Sequence, residues 1–118
     1  MSKSRILVCG GRDYVNRDQL FQVMNSLCQY FNPNFCVIQG SARGADLLAK
    51  EWAESLGRPV LCVPANWSYY GKSAGSIRNQ WMLDYTMPDL VVAFPGGVGT
   101  FDMIRAAKKA HIDVHRVD

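Results

Sequence analysis

The sequence predicts an α/β fold: a single Rossmann-like three-layer domain over residues 1–118, with a mostly parallel five-stranded sheet. Short apolar runs alternate with helical patterns from end to end, an order typical of parallel strands joined by crossover helices. Each run is continuous rather than alternating in polarity, which indicates strands covered on both faces. Hydrophobic residues make up 48% of the chain and charged residues 19%, which excludes a disordered protein, and 118 residues provide a single core.

The first half of the chain holds two strand–helix units. The apolar run Arg5–Cys9 predicts a strand, and Asn16 predicts the cap of a helix that continues to Phe31. The run Phe35–Gln39 predicts the second strand, and apolar spacing predicts a second helix over residues 45–56. Turns rich in small residues follow both strands, so both turns are expected at one edge of the sheet.

The second half continues the same alternation. In order, the patterns predict a strand at Pro59–Val63, an irregular stretch over 64–72, a helix at Ser73–Tyr85, a strand at Leu90–Phe94, a helix at Thr100–Ala110 and a strand at Val114–Val117. In the helix after the irregular stretch, Ile77, Trp81 and Tyr85 recur every four residues and are expected to face the core. Arg78 and Asn79 then turn away from that row and are free to meet a ligand.

A glycine-rich turn joins the fourth strand to its helix, with the sequence Pro95-Gly96-Gly97-Val98-Gly99-Thr100. Glycine lets backbone amides approach a ligand without a Cβ in the way, and the N-terminus of the following helix favours an anion. The turn is therefore predicted to hold a phosphate, most simply that of a nucleotide. The alternative interpretation is that the same residues form an ordinary turn between a strand and a helix.

Cations follow three of the predicted strands. Arg12 comes after the first strand, Arg43 after the second, and Lys72 and Arg78 after the third. Because the carboxyl ends of parallel strands share one edge of the sheet, this placement predicts an anionic small molecule there. The formal net charge of +3 is too small and too dispersed to indicate a nucleic-acid-binding surface.

The sequence predicts a cytoplasmic protein with no membrane association. The N-terminus leads directly into a strand rather than a signal peptide, and no apolar segment is long enough to span a bilayer. The four cysteines lack Cys-x-x-Cys spacing and are expected to be buried, reduced thiols.

No metal site is predicted from the residues, because the segment between His111 and His115 combines a helix end with a strand start. Mg²⁺ would enter only together with a nucleotide ligand. The chain is too short for a separate substrate domain, so the site is expected at the edge of the fold or between subunits. A homo-oligomer, dimeric or larger, is the expected assembly.

Four segments together resemble one protein family. They are Cys9-Gly10-Gly11-Arg12-Asp13, Gly40-Ser41-Ala42-Arg43-Gly44-Ala45-Asp46, Gly75-Ser76-Ile77-Arg78-Asn79, and Phe94 to Thr100. This set is similar to the YspA-type, YpsA-related branch of the SLOG superfamily, which also contains the lonely-guy phosphoribohydrolases and the DNA-processing protein A domain. The resemblance implies a Rossmann-like fold that binds nucleotides or nucleotide-derived ligands, and it does not imply one activity. Small proteins of this kind also occur in phage genomes.

The sequence departs from the lonely-guy enzymes at one position that matters for catalysis. Their Pro-Gly-Gly-x-Gly-Thr-x-x-Glu pattern matches Pro95 to Thr100, but Met103 occupies the glutamate position. Met103 belongs to an apolar stripe, and the nearest carboxylate, Asp102, comes one residue earlier. A helix turns about 100° per residue, so Asp102 is expected to point elsewhere.

Three functions remain open from the sequence. The favoured hypothesis is a nucleotide-binding or sensing module. The alternative is a nucleoside 5′-monophosphate phosphoribohydrolase with Arg78 and Asp102 as its catalytic residues. A weaker alternative is single-stranded DNA binding, because the sequence shows no continuous basic groove with stacking aromatic residues. The predicted ligand-binding residues are Gly10, Gly11, Arg12, Asp13, Gly40, Ala42, Gly44, Asp46, Arg78, Asn79, Pro95, Gly96, Gly97, Gly99 and Thr100.

Overall fold

The computed structural model describes residues 4–31 and 35–118, and the predicted turn at 32–34 lies outside this part of the chain. Its sheet has five strands in the order β3-β2-β1-β4-β5, and every neighbouring pair is parallel. The strands are β1 (Arg5–Cys9), β2 (Cys36–Gln39), β3 (Val60–Cys62), β4 (Leu90–Ala93) and β5 (Val114–Arg116). The prediction of a parallel five-stranded sheet is confirmed, with strand ends within one or two residues of those expected.

Helices connect the strands. They are α1 (Arg17–Leu27), α2 (Ala45–Ser55), the single-turn α3 (Trp67–Tyr70), α4 (Ala74–Thr86) and α5 (Val98–Lys109). In the described residues no helix is long and apolar enough to cross a membrane. The Asn16 side chain caps α1 by accepting from the amide of Gln19 at 3.1 Å, as predicted.

Two apolar clusters hold the layers together, one on each face of the sheet. Ile6 and Val8 of β1 pack with α1 and α2, while Leu7 between them packs with α4 and α5. Side chains of a strand alternate between faces, so a continuous apolar run such as β1 supplies both clusters. The three-layer Rossmann-like architecture is confirmed.

Two predicted segments differ from the structure in their local form. α1 ends at Leu27 rather than Phe31, because amides 28–30 bond to carbonyls three residues back and tighten the last turn. The stretch 64–72 was expected to be irregular, yet it contains α3, started by the Asn66 side chain that accepts from the amide of Tyr69 at 3.1 Å. A 3-10 turn at Gly71–Ser73 then leads into α4.

The expectation that the four cysteines are buried is wrong for Cys62, and Cys9, Cys28 and Cys36 are only partly buried. Cys62 is exposed, because β3 is a three-residue strand at the edge of the sheet. An edge strand has a neighbour on one side only, so fewer of its side chains are covered.

The orientation predicted for α4 is wrong. Ile77, Trp81 and Tyr85 are 40%, 45% and 70% exposed, whereas Met82 and Leu83 are buried in the cluster under α4 and α5. Both sets recur at helical spacing, and contact with β4 and α5 selects the second. The rotation carries Arg78 and Asn79 inward, toward the ends of the strands, rather than away from the core.

Candidate functional site

A cleft of about 530 Å³ opens at the carboxyl ends of β1, β2 and β4. This edge is where ligands bind in open parallel sheets. The end of β1 and the segments that follow β1 and β2 contribute Cys9, Gly10, Gly11, Arg12, Gly40, Ala42 and Asp46. The segment from α3 to α4 contributes Trp67, Lys72, Gly75, Ser76, Arg78 and Asn79. Helix α5 and the residue before it contribute Gly97, Val98, Gly99, Thr100, Asp102 and Arg105. Residues far apart in sequence thus converge on one cavity.

The floor of the cleft is fixed by contact between the loops after β1 and β4. The Gly11 amide donates to the Pro95 carbonyl at 2.9 Å. A Cβ on Gly96 would clash with the Thr100 hydroxyl and the Gly11 amide, so only glycine fits there. Gly44 has φ of +77°, and a Cβ there would clash with the carbonyls of Gly11 and Arg12. Gly44 and Gly96 therefore serve close packing.

The N-terminus of α5 faces the cleft without a side-chain cap. Gly97 is the N-cap residue, and a glycine has no side chain that could accept from the first amides of the helix. A Cβ on Gly97 or Gly99 would have no atom within 4 Å. These two glycines leave open space on the cleft side of an electropositive helix end.

Arg78 bridges the loops after β2 and β3. Its Nη1 donates to the Gly40 carbonyl at 2.6 Å and to the Val63 carbonyl at 3.5 Å, and its Nε donates to Asn79 Oδ1 at 3.0 Å. Burial lowers the pKa of Arg78, and the nearby Asp46 carboxylate opposes that shift. The side chain stays charged, because a guanidinium group is not deprotonated in proteins.

Asp46 is a carboxylate only 6% exposed that still lines the cleft. Its Oδ2 accepts from the amides of Gly40 and Ala42, both at 3.2 Å. Burial raises the pKa of Asp46 to about 6, although both amide bonds and the charge of Arg78 act in the opposite direction. It is therefore ionised above that pH.

The remaining cations of the cleft lie nearer its rim. The Arg12 guanidinium stands over the ring of Trp67, 5.3 Å from its centroid, in cation–π geometry. In the described residues neither Arg12 nor Lys72 forms an ion pair with a carboxylate. Both charges are thus available to an anion.

Polar groups on α4 and α5 meet across the cleft. The side-chain Nδ2 of the buried Asn79 donates to Asp102 Oδ2 at 3.0 Å and to the Gly99 carbonyl at 3.3 Å. Arg105, one turn along α5, lies 3.9 Å from Asp102. Asp102 therefore lines the cleft, whereas the next residue of α5, Met103, is fully buried in the core as expected.

The thiol of Cys9 offers no nucleophile to this cleft. Burial raises the pKa of Cys9 to about 12, with the Asp46 charge acting in the same direction. The neutral thiol is a weak nucleophile. Among the described residues, no group of three His, Cys, Asp or Glu side chains could hold a metal ion.

Most of the residues predicted from sequence line this one cleft. They are Gly10, Gly11, Arg12, Gly40, Ala42, Asp46, Arg78, Asn79, Gly97, Gly99, Thr100 and Asp102. Four predicted ligand-binding residues, Asp13, Gly44, Pro95 and Gly96, do not line it. The Asp13 side chain is 95% exposed and pairs with Arg43 at 3.4 Å, outside the cleft.

The cleft is also lined by residues that are not among the predicted site residues, including Cys9, Gly75, Ser76, Val98 and Arg105. Arg105 carried a usable signal, because it lies three residues after Asp102 and so shares its helix face. The others are apolar or small, and nothing in their local pattern separates a cleft wall from ordinary packing.

The family model for the YspA, cpYpsA-related SLOG family matches residues 4–70, more than half of the chain. The chain belongs to this SLOG family. A relative of known sequence, the Gene 61 protein of Mycobacterium phage D29, is 33% identical over 117 residues and covers 93% of each chain. The expectation that such proteins occur in phages agrees with this match.

Solved structures share the SLOG chain's fold at low sequence identity. A molybdenum cofactor binding protein from Rippkaea orientalis superposes with a TM-score of 0.72 and 16% identity, covering 100% of this chain and 79% of that one. The Moco Carrier Protein of Chlamydomonas rheinhardtii gives a TM-score of 0.66 and 15% identity, covering 98% and 76%. These likenesses establish the Rossmann-like fold.

Proposed function

We propose that the protein binds a nucleotide or nucleotide-derived ligand, with a phosphate on the open N-terminus of α5, and acts as a binding or sensing module. One observation carries the proposal: uncapped helix amides beside Gly97 and Gly99 face the same cleft as the cations Arg12 and Arg78. A helix end and guanidinium groups together favour a phosphate, which accepts several charge-assisted hydrogen bonds.

The charge balance of the cleft supports an anionic guest. Among the described residues, four cations line it, namely Arg12, Lys72, Arg78 and Arg105, against the two carboxylates Asp46 and Asp102. The volume of about 530 Å³ lies within the range usual for small-molecule pockets. Proteins that share this fold include a molybdenum cofactor binding protein and a Moco Carrier Protein, which supports the binding of a small molecule by this chain.

The substitution Gly99→Val tests the phosphate position. Open space surrounds the place of a Cβ at residue 99, so the variant should fold, while its branched side chain blocks the amides from a phosphate. We expect calorimetric binding of nucleoside mono-, di- or triphosphates by the parent and none by Gly99→Val. The matched control is Lys109→Val, an exposed position at the far end of the same helix.

The proposal fails under a defined result. If Gly99→Val unfolds at the parent's temperature and binds the same nucleotides with unchanged affinity, the phosphate does not lie on α5. Mass spectrometry of the small molecule released by denaturing the purified protein would identify the ligand directly.

Hydrolysis of a nucleoside 5′-monophosphate at its N-glycosidic bond is a second candidate function. The observation that favours it is the entry of Asp102 into the cleft, where Asn79 holds its carboxylate. Against it, Met103 occupies the catalytic glutamate position of the lonely-guy pattern and is buried. We therefore expect binding without efficient turnover.

The catalytic test measures release of ribose 5-phosphate from AMP, GMP, CMP and UMP. Turnover on the order of 1 s⁻¹ that is lost in Asp102→Asn would establish the enzyme and overturn the binding module. Weak release that persists in Asp102→Asn would identify a contaminant and leave the binding module in place.

A further inference from the structure

The Asp46 carboxylate has one satisfied and one unsatisfied oxygen. Oδ2 accepts two backbone amides, whereas Oδ1 has no hydrogen bond within the described residues. The oxygen is also absent from the described side-chain atoms that are sealed from solvent without a partner, and Asp46 lines the cleft. A side chain that is 94% buried therefore presents a free acceptor to the ligand cavity.

The Asp46 carboxylate lies beside Arg78, one of the cations assigned to the phosphate. A Cβ on Gly40 would come within 3.0 Å of both the Arg78 guanidinium and Asp46 Oδ2, so the two side chains flank the same point. No ion pair joins Asp46 to a cation in the described part of the chain. The charged groups that act on the pKa of Asp46 are Arg78 and Arg12, and the Asp46 charge in turn raises the pKa of Cys9.

We propose that Asp46 Oδ1 accepts a hydrogen bond from a sugar hydroxyl of the bound nucleotide and so selects ribose over hydroxyl-free sugars. The inference rests on the proposed function. An ionised carboxylate is an acceptor only and repels phosphate, so the ligand must present a neutral donor to it. In a 5′-nucleotide the hydroxyls lie on the sugar bonded to the phosphate, nearer to it than the donors of the base.

The substitution Asp46→Asn reverses the polarity of this contact while keeping the loop. The amides of Gly40 and Ala42 need an acceptor, so the Asn carbonyl oxygen takes the place of Oδ2 and the NH₂ group turns to the cleft. A donor then faces the ligand where an acceptor did. Asp13→Asn, at an exposed position outside the cleft, is the matched control.

The experiment compares nucleoside 5′-monophosphates with their 2′,3′-dideoxy counterparts by calorimetry at pH 8, where Asp46 is ionised, with inorganic phosphate as competitor. We expect the parent and Asp13→Asn to prefer the ribonucleotide by about 10- to 100-fold, the effect of a hydrogen bond to a charged group. In Asp46→Asn that preference should fall about five- to tenfold, because the neutral NH₂ group makes only an uncharged hydrogen bond to a hydroxyl oxygen, while phosphate still competes.

Two results would overturn the inference and each has a separate meaning. If phosphate competes but the parent shows no ribose preference, or Asp46→Asn retains it, Asp46 does not read the sugar. If neither phosphate nor any nucleotide binds the parent, the proposed function itself is wrong. The comparison of the two ligand series on the parent needs no variant, so misfolding of Asp46→Asn cannot mask the first result.

Discussion

Arg78 combines two roles at a single residue. Its Nη1 holds the Gly40 carbonyl at 2.6 Å, and its charge lines the cleft. The helical spacing predicts Arg78 as a free side chain beside an inward row, but the observed rotation of α4 brings it against the Gly40 carbonyl. A guanidinium has five N–H donors, so bonds to two carbonyls and to Asn79 leave donors for a ligand.

We expect Arg78→Ala to weaken nucleotide binding by about 10- to 100-fold and also to lower the free energy of unfolding by about 1–3 kcal/mol, because the Gly40 carbonyl loses its charged donor. Arg78→Lys retains the charge and should recover part of the affinity. Arg43→Ala, with an exposed guanidinium outside the cleft, is the control. Calorimetry and denaturant titration separate the effects, and a loss of stability with unchanged affinity would make Arg78 structural only.

At the scale of elements, the adjacent glycines Gly96 and Gly97 in the turn between β4 and α5 have different structural roles. A Cβ on Gly96 would clash with Gly11 and Thr100, whereas a Cβ on Gly97 has open space. The turn therefore joins a packing position to one that lines the cleft. Sequence shows only that both residues are glycine.

This division predicts opposite outcomes for two alanine variants. Gly96→Ala should lower the free energy of unfolding by about 1–3 kcal/mol, the usual cost of overpacking, because the β1 and β4 loops must separate. Gly97→Ala should change it by less than about 1 kcal/mol, since alanine is only a poorer N-cap. Thermal and denaturant unfolding of both variants give the comparison, and equal destabilisation would contradict the assignment.

At the scale of the whole molecule, the formal net charge of +3 matters less than its placement. The parallel sheet brings Arg12, Lys72, Arg78 and Arg105 to one cleft although they lie on different segments. The field of this cleft extends into solvent at low ionic strength and is screened within about 10 Å at 0.1 M salt.

Nucleotide affinity should therefore fall by about three- to tenfold between 50 and 500 mM NaCl, because salt screens the attraction between these cations and a phosphate. Calorimetry at the two salt concentrations measures the change. A salt-independent affinity would mean that uncharged groups, rather than the cations, hold the ligand.

The sequence by itself determined the layout of the fold and the edge that carries the site. Continuous apolar runs such as Arg5–Cys9 require cover on both faces, and the carboxyl ends of parallel strands must share an edge. Both conclusions follow from local patterns and chain topology, so no tertiary contact was needed to reach them. The glycine turn after the fourth strand and the cations after the first three strands were found for the same reason.

Only the tertiary structure decided which side of each element faces inward. Helix α4 carries two rows at helical spacing, and packing against the sheet chose the row with Met82 over the one with Trp81. Tertiary contacts of α2 and α5 likewise buried Asp46 against backbone amides and turned Asp102 into the cleft. Periodicity gives the spacing of a stripe, but the rotation of a helix depends on the shape of its neighbours, which are distant in sequence.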